Sequence, residues 1–391
     1  MSLSTNSMVT IAFTGGGTGG HIYPGLAVIA RLRERLSPEA AKIFWIGSGK
    51  GMDRSLVEGA AAEFRVEFFG VPAGRLRRYF SLKTIPDMWR VAAGFFAARK
   101  ILKKQKVDLL FSKGGFVSVP PCAAAASLGI PVFTHESDFS PGLATRINLR
   151  FVARTGGRLF TAYKDTAAFF PPAFRDRALS CGNPVRPEFR ASCQDGGNSA
   201  GRGRAFLGLA ENERILLVLG GSQGAQEIND LVRDCLAELT EYYTVVHQTG
   251  EKHSGAERAY RYLPYPYIKD EMPDVLAAAE LILGRSGAGT VWESAAAGKP
   301  MALIPLSGSG TRGDQVENAR FFEKAGAAVV LAGAGVNAES LAQTVASIAQ
   351  DEAKRKRMAS AAEEIGKTDG AAFIADSICE FIGVAPCSKS Q

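Results

Sequence analysis

The chain has 391 residues, 46% of them hydrophobic and 22% charged, a length and balance that suit two folded domains and exclude a disordered chain. Its net charge of +7 favours anionic partners such as nucleotide diphosphates, nucleic acid or anionic lipid. Cys122, Cys181, Cys193, Cys235, Cys379 and Cys387 form no CxxC pair and no zinc-finger spacing, so they read as free thiols of a reducing compartment. Met1–Ser7 has no basic and then apolar signal segment, and no run reaches a bilayer's span, so a cytosolic or peripheral protein is expected.

In chain order, Val9–Thr14 reads as a first strand and runs into Gly15-Gly16-Gly17-Thr18-Gly19-Gly20-His21. Ile22-Tyr23-Pro24-Gly25 then opens a helix to about Leu36. Five glycines let backbone approach a phosphate or sugar, and the helix start offers unpaired N–H groups and partial positive charge. No Gly-Lys-Ser/Thr follows, so this is not a P-loop. His21 closes the loop as a candidate general base, its ordinary pKa lying near neutrality. Lys42–Ile46 is a second strand and ends without an acidic ribose anchor.

Residues 75–106 carry ten cations against Asp87 alone, interleaved with Leu76, Tyr79, Phe80, Trp89, Phe95 and Phe96. Such a mixture suits docking on anionic lipid, although some of these aromatics must face a core. No nucleic-acid-binding motif accompanies the charge, so no nucleic-acid partner is expected.

Asp108–Ser112 and Pro131–His135 are short strands leading into Lys113-Gly114-Gly115-Phe116 and His135-Glu136-Ser137-Asp138. Gly182-Asn183-Pro184-Val185-Arg186 follows further on. Ala191–Arg204, polar and without apolar periodicity, is expected to be an interdomain linker.

The pattern then restarts. Ile215–Leu219 is a strand, Gly220-Gly221-Ser222-Gln223-Gly224-Ala225 a second glycine loop, and Ala225–Leu239 a helix. Thr244–His247, Leu281–Leu283 and Met301–Pro305 are further strands. Gly284-Arg285-Ser286-Gly287-Ala288-Gly289-Thr290-Val291-Trp292-Glu293 is a strand end, a turn and a helix start. Glu293, two turns in, can accept from both hydroxyls of a ribose. Ala371–Ile382 has helical spacing. The chain is therefore expected to be α/β, with two Rossmann-like domains facing a central cleft: residues 1–190, a linker at 191–204, residues 205–370, and a tail at 371–391 packing back on the first domain. Residue chemistry alone supports a nucleotide-sugar site and no more.

GGGTGGHIYPGLA at Gly15–Ala27, the HES segment at His135, GNPVR at Gly182–Arg186, GGSQGA at Gly220–Ala225 and RSGAGTVWESAAAGKP at Arg285–Pro300 occur in the order and spacing of one family. The chain resembles the MurG family of peptidoglycan N-acetylglucosaminyltransferases (glycosyltransferase family 28) nearly end to end. The resemblance implies a GT-B fold, UDP-N-acetylglucosamine as donor, and undecaprenyl-diphosphate-MurNAc-pentapeptide (lipid I) as acceptor. Lipid II would form with inversion, at the cytoplasmic face of the inner membrane. Carried over by position, Ser222 meets the diphosphate and Ile268, beside Tyr267, frames uracil through backbone groups. Ala288, Gly289, Thr290, Val291, Trp292 and Glu293 form the nucleotide-binding helix start, and Gln315 touches the sugar. Thr18, Gly19 and Gly20 line the cleft from the acceptor side and count with Asp138 among the donor contacts, Arg186 adds positive charge near the donor, and His21 is the base. The family pattern HE-x-N has Asp138 at its last position here, where a carboxylate would repel a diphosphate unless protonated or paired. No DxD-like pair stands at a strand end, so no metal or other cofactor is expected. Diacylglycerol glycosyltransferases and UDP-N-acetylglucosamine 2-epimerases share the architecture and are the nearest alternatives.

Overall fold

The computed structural model describes residues 8–49, 51–74, 84–195, 197–221, 224–251, 256–306 and 313–383, with no side-chain description at 61 and 84–86. The chain divides into two compact units, at Arg186/Pro187 and at Thr368/Asp369, so the C-terminal segment belongs to the first unit.

In the first unit the described strands are β1 (Val9–Thr14), β2 (Ala41–Ser48), β3 (Val66–Val71), β4 (Leu109–Ser112), β5 (Val132–Glu136), β6 (Leu159–Thr161) and β7 (Ala178–Ser180). They form a sheet of order β3-β2-β1-β4-β5-β6-β7, with every pairing parallel. Helices cover both faces, so the strands are apolar in both directions. Ile11, Phe13, Ile43, Trp45, Leu109, Phe111 and Phe133 point to one core, with Ile22, Leu26 and Ile29 of the Gly19–Arg33 helix and Ile374 and Ile378 of the Gly370–Phe381 helix. Ala12, Phe44, Ile46, Leu110 and Val132 point to the other, with Leu102 and Cys122. The first helix lies close on the sheet at Gly25, where a Cβ would stand 2.5 Å from the Trp45 ring.

In the second unit the described strands are β8 (Ile215–Leu219), β9 (Thr244–Gln248), β10 (Tyr262–Tyr265), β11 (Leu281–Gly284), β12 (Met301–Leu303) and β13 (Ala328–Val330), in the order β10-β9-β8-β11-β12-β13, again all parallel. Leu216, Val218, Val245, Leu281, Leu283 and Ala302 pack in one cluster with Ile228 and Val232. The expected helix Ala225–Leu239 is two helices, Gln226–Asp234 and Leu236–Tyr242, separated at Cys235, whose φ of −122° and ψ of 25° leave the helical region.

Residues 191–204 do not form the expected linker. Residues 191–194 end the helix Pro187–Gln194 and residues 198–204 lie in the helix Asn198–Leu207, both inside the second unit. Gly203 there is required by packing: a Cβ at this position would stand 2.3 Å from the Asp274 carbonyl oxygen. Ser199 and Leu207 are buried beside it, so tertiary contact overrides the weak local helix propensity.

Strand order reverses between β1 and β4 in the first sheet and between β8 and β11 in the second. Open parallel sheets take ligands at the carboxyl ends of strands at such switch points. The described loop residues there are Gly15–His21 with Lys113–Phe116, and Gly220, Gly221, Gly224 and Ala225 with Arg285–Gly287.

Candidate active-site loops

In the first unit the loop after β1 is held from below. Asp53 is 1% exposed; its carboxylate accepts from the Gly17 N–H at 2.9 Å and the Ser48 N–H at 3.0 Å. A Cβ at Gly16 would fall 2.0 Å from that carboxylate, which explains a glycine at this position. The Trp45 indole N–H donates to the Gly15 carbonyl at 3.2 Å. Asp53 is the acidic residue after β2 that the strand-end reading missed: it lies in the following helix and fixes a loop 36 residues upstream.

Thr18 N-caps the Gly19–Arg33 helix without a side-chain capping bond, and it is exposed together with Gly20, whereas Gly19 is buried. His21 is half-buried, with its N–H donating to the Thr18 carbonyl at 3.1 Å. The ring packs on the Gly114–Gly115 pair. A Cβ at Gly115, whose φ is +76°, would stand 2.9 Å from His21 Cδ2, so a side chain there would displace the imidazole. Arg186 stacks its guanidinium 4.6 Å from the centre of the Tyr23 ring, two residues beyond His21.

The end of β5 is polar and buried. His135 Nε2 is 3.0 Å from the Gly182 carbonyl. Burial, and then the Lys113 charge, push its imidazole well below the usual histidine range, so it is neutral. Glu136 accepts from the Asp138 N–H at 3.1 Å and the Gly142 N–H at 2.9 Å. Burial first, and then Asp138, push its carboxyl up. Asp138 itself is half-buried. Lys113, which was only a minor signal in the sequence, is 1% exposed, and its ammonium donates to Ser137 Oγ at 2.5 Å.

In the second unit the helix Ala288–Ala296 starts from Gly287 with no side-chain cap and no acidic residue in its first turn. The backbone N–H groups of Ala288, Gly289 and Thr290 therefore form an uncapped, partly positive helix start. Val291 and Trp292 are buried, the indole edge-on to Phe322 at 5.8 Å, and they anchor this helix while Glu293 is half-exposed. Arg285 donates to the Ile304 carbonyl at 3.0 Å and pairs with Glu227 at 2.6 Å. Ser286 Oγ donates to the Gln315 carbonyl at 2.7 Å, and the Gln315 side chain accepts from the Leu306 N–H at 3.0 Å. Gln315 thus braces the turn before the helix. Ile268 is buried, and its N–H donates to Gln248 Oε1 at 3.0 Å, which commits one of the two backbone groups expected to meet uracil. Ser222 lies outside the described residues, as do residues 75–83 of the basic segment.

Of the expected site residues, Thr18, Gly19, Gly20, His21, Asp138 and Arg186 belong to the first unit, and Ile268, Ala288 through Glu293 and Gln315 to the second. Each set gathers at the carboxyl ends of its own sheet.

Two parallel sheets, each with glycine-rich loops and a helix start at its switch point, define the GT-B class of glycosyltransferase fold. The Glycosyltransferase family 28 N-terminal domain matches residues 11–156 and the Glycosyltransferase family 28 C-terminal domain matches residues 215–374. The chain belongs to glycosyltransferase family 28. It is 45% identical to the UDP-N-acetylglucosamine–N-acetylmuramyl-(pentapeptide) pyrophosphoryl-undecaprenol N-acetylglucosamine transferase of Treponema denticola, over 96% of this chain and 98% of that protein. It is 41% identical to the transferase of the same name from Treponema pallidum, over 97% of each. The crystal structure of Acinetobacter baumannii MurG superposes with a TM-score of 0.69 over 95% of this chain and 99% of that one; at 23% identity this shows the fold.

Proposed function

We propose that this protein transfers N-acetylglucosamine from UDP-N-acetylglucosamine to the MurNAc 4-hydroxyl of lipid I, giving lipid II with inversion at the anomeric carbon. The observation that carries this reading is the 45% identity, over 96% of the chain, to a relative bearing that transferase name. In this reading the second unit holds the donor. The Ala288–Thr290 helix start and Ser222 meet the diphosphate, Glu293 the ribose, Ile268 the uracil through its carbonyl, and Gln315 the sugar. The first unit presents the acceptor, and from that side Thr18, Gly19 and Gly20 reach the donor, with Asp138 as a further donor contact and Arg186 adding positive charge near it. His21, oriented by the Gly114–Gly115 pair, takes the proton from the attacking hydroxyl. The leaving diphosphate is stabilised by helix N–H groups, with no obligatory metal.

The lipid acceptor calls for a membrane face, and the helix Thr84–Gln105 supports one. Met88, Trp89 and Phe96 are 62%, 74% and 69% exposed, and Arg99, Lys100, Lys103 and Lys104 are exposed on its later turns. Large exposed apolar side chains beside cations suit insertion at an anionic interface. Among the described residues no helix is long and apolar enough to cross a membrane, so the proposed association is peripheral, on the cytoplasmic face of the inner membrane.

The test is radiolabel transfer from UDP-N-acetylglucosamine to a short-chain lipid I analogue, with diacylglycerol as parallel acceptor and EDTA in a third arm. Labelled lipid II, unchanged by EDTA, supports the reading. Label on diacylglycerol alone, or on neither acceptor, overturns it, and loss of transfer in EDTA overturns metal independence.

A further inference from the structure

Behind the Gly114–Gly115 pair that carries the His21 ring stands one buried amide. Asn148, on the helix Leu143–Thr155, is 0% exposed. Its Nδ2 donates to Ser112 Oγ at 3.2 Å and to Ser118 Oγ at 3.0 Å, which uses both hydrogens an amide can offer. These two serines, themselves buried, hold the two ends of the pair. Ser112 Oγ accepts from the Gly114 N–H at 3.2 Å. Ser118 Oγ donates to the Gly115 carbonyl at 2.9 Å, and the Ser118 N–H donates to the same oxygen at 3.1 Å.

Gly114 and Gly115 hold φ of +88° and +76°. Glycine enters that region freely and leaves it as freely, so the pair is fixed by its hydrogen bonds rather than by its own backbone. A serine hydroxyl has one hydrogen and rotates to suit its partners. The Asn148 donor occupies a lone pair of Ser118 Oγ and so turns that hydrogen toward the Gly115 carbonyl. Asn148 Oδ1, by contrast, is buried with no hydrogen-bond partner among the described residues. An unsatisfied buried acceptor costs stability, so what the amide contributes here is its donors' hold on the serines. The pair in turn lies tight against the first glycine loop. A Cβ at Gly115 would stand 2.5 Å from the Gly16 carbonyl oxygen and 2.9 Å from His21 Cδ2. Close packing of this kind passes a displacement of the pair on to the imidazole.

Resting on the assignment of His21 as base above, we propose that Asn148 is a positioning residue for the transfer. Through Ser112 and Ser118 it fixes the Gly114–Gly115 pair, and the pair sets the imidazole toward the acceptor hydroxyl. Asn148 itself, fully buried, acts without touching substrate.

The experiment compares Asn148→Ala and Ser118→Ala, each with and without His21→Ala. It reads steady-state transfer to the lipid I analogue and the histidine ring resonances of the substrate-free protein. Asn148→Ala is expected to lower kcat on the order of 10²-fold, the cost of a small misplacement of a reacting group. It should leave KM for UDP-N-acetylglucosamine within about twofold. In the His21→Ala background the same substitution should change kcat by less than about twofold, because the group it acts through is gone. The chain has four histidines, so its ring signals are few. The His21 signals, identified by their loss in His21→Ala, should move in Asn148→Ala, while those of His247 in the second unit stay in place. Equal losses of kcat with and without His21, or unmoved His21 signals, would overturn the proposal. If Asn148→Ala does not fold, Ser118→Ala carries the comparison, since it removes one hydroxyl and leaves the Ser118 N–H on Gly115. Moved His21 signals in that variant support the proposal and unmoved ones overturn it. A wild type that transfers nothing to lipid I sinks the functional reading separately, because the ring signals report the positioning without substrate.

Discussion

The two sheets order their strands alike, so each opens a switch point in the same place, yet the loops there are furnished differently. In the first unit the ends of β1, β4 and β5 rest on buried charge: Asp53 under the glycine loop, and Lys113 with Glu136 behind it. In the second unit the site begins at an uncapped helix, and an ion pair of Arg285 with Glu227 fastens β11's loop to the first turn of the Gln226–Asp234 helix that follows β8. Topology decides where a ligand can sit. Side chains then decide what charge it meets: a framework of fixed charges in one unit, backbone N–H groups in the other.

The sharpest way to break this contrast is His21→Ala. If the first unit's framework exists to orient one imidazole, kcat should fall roughly 10² to 10⁴-fold, the usual worth of general-base assistance, with donor KM little changed. Initial-rate transfer to lipid I checks this. A variant within a few-fold of wild type would remove His21 from the chemistry.

Next in size is the support beneath the loop. Asp53→Ala strips two backbone N–H groups of a charged acceptor in a buried position. At about 1.5 to 3 kcal/mol for each such bond, the first unit should lose about 3 to 6 kcal/mol of stability in urea unfolding. Little change would mean that Trp45 and the glycine contacts hold the loop without it.

Asp53 and Lys113 also show where the sequence stops being readable. β1 (VTIAFT) and β8 (ILLVL) are apolar runs ended by glycine clusters, and both stand where those patterns place them. β6, β7 and β13 span three residues each, LFT, ALS and AVV, and carry no periodicity to detect. The positions of the glycine loops and of Glu293 at strand ends and a helix start were legible because a strand, its turn and the following helix are local in sequence. The residues that stiffen those loops were not, since Asp53 acts on a backbone 36 positions away and Lys113 on a hydroxyl 24 positions away. The helices across 191–204 were hidden for the same reason, as Gly203 is explained only by Asp274.

A third test asks whether the second unit is as free of buried charge as its loops suggest. His247, 1% exposed on β9, lies 3.1 Å from the Tyr262 hydroxyl and 3.0 Å from Asn229 Oδ1, and burial pushes its imidazole down to about 4 from 6.5. The unfolded chain takes a proton near pH 6.5 while the folded one refuses it until about 4. The stabilisation from the neutral ring is therefore whole above 6.5, shrinks as pH falls, and is gone below about 4. The full span is at most about 3 kcal/mol, with roughly 2 of it lost between about pH 7.5 and about pH 5. Urea midpoints of wild type and His247→Gln across that range should converge on acidification; parallel midpoints would place the titration elsewhere.

The smallest effect should come from the donor side. Glu293 follows an uncapped helix start on a helix anchored by Trp292, and under the proposed function the backbone supplies the diphosphate contacts and Glu293 adds the ribose alone. Glu293→Gln keeps an acceptor oxygen but removes its charge, which costs about 1 to 1.5 kcal/mol and should raise KM for UDP-N-acetylglucosamine about tenfold. Ribose is remote from the bond that breaks and is bound alike in the ground and transition states, so kcat should hold. Isothermal titration with UDP should show the same tenfold weakening, whereas uridine lacking both ribose hydroxyls should bind the variant and the wild type equally. A variant that loses kcat at unchanged KM would instead put this carboxylate at the reacting centre, and fixed charge would then belong to the chemistry of both units.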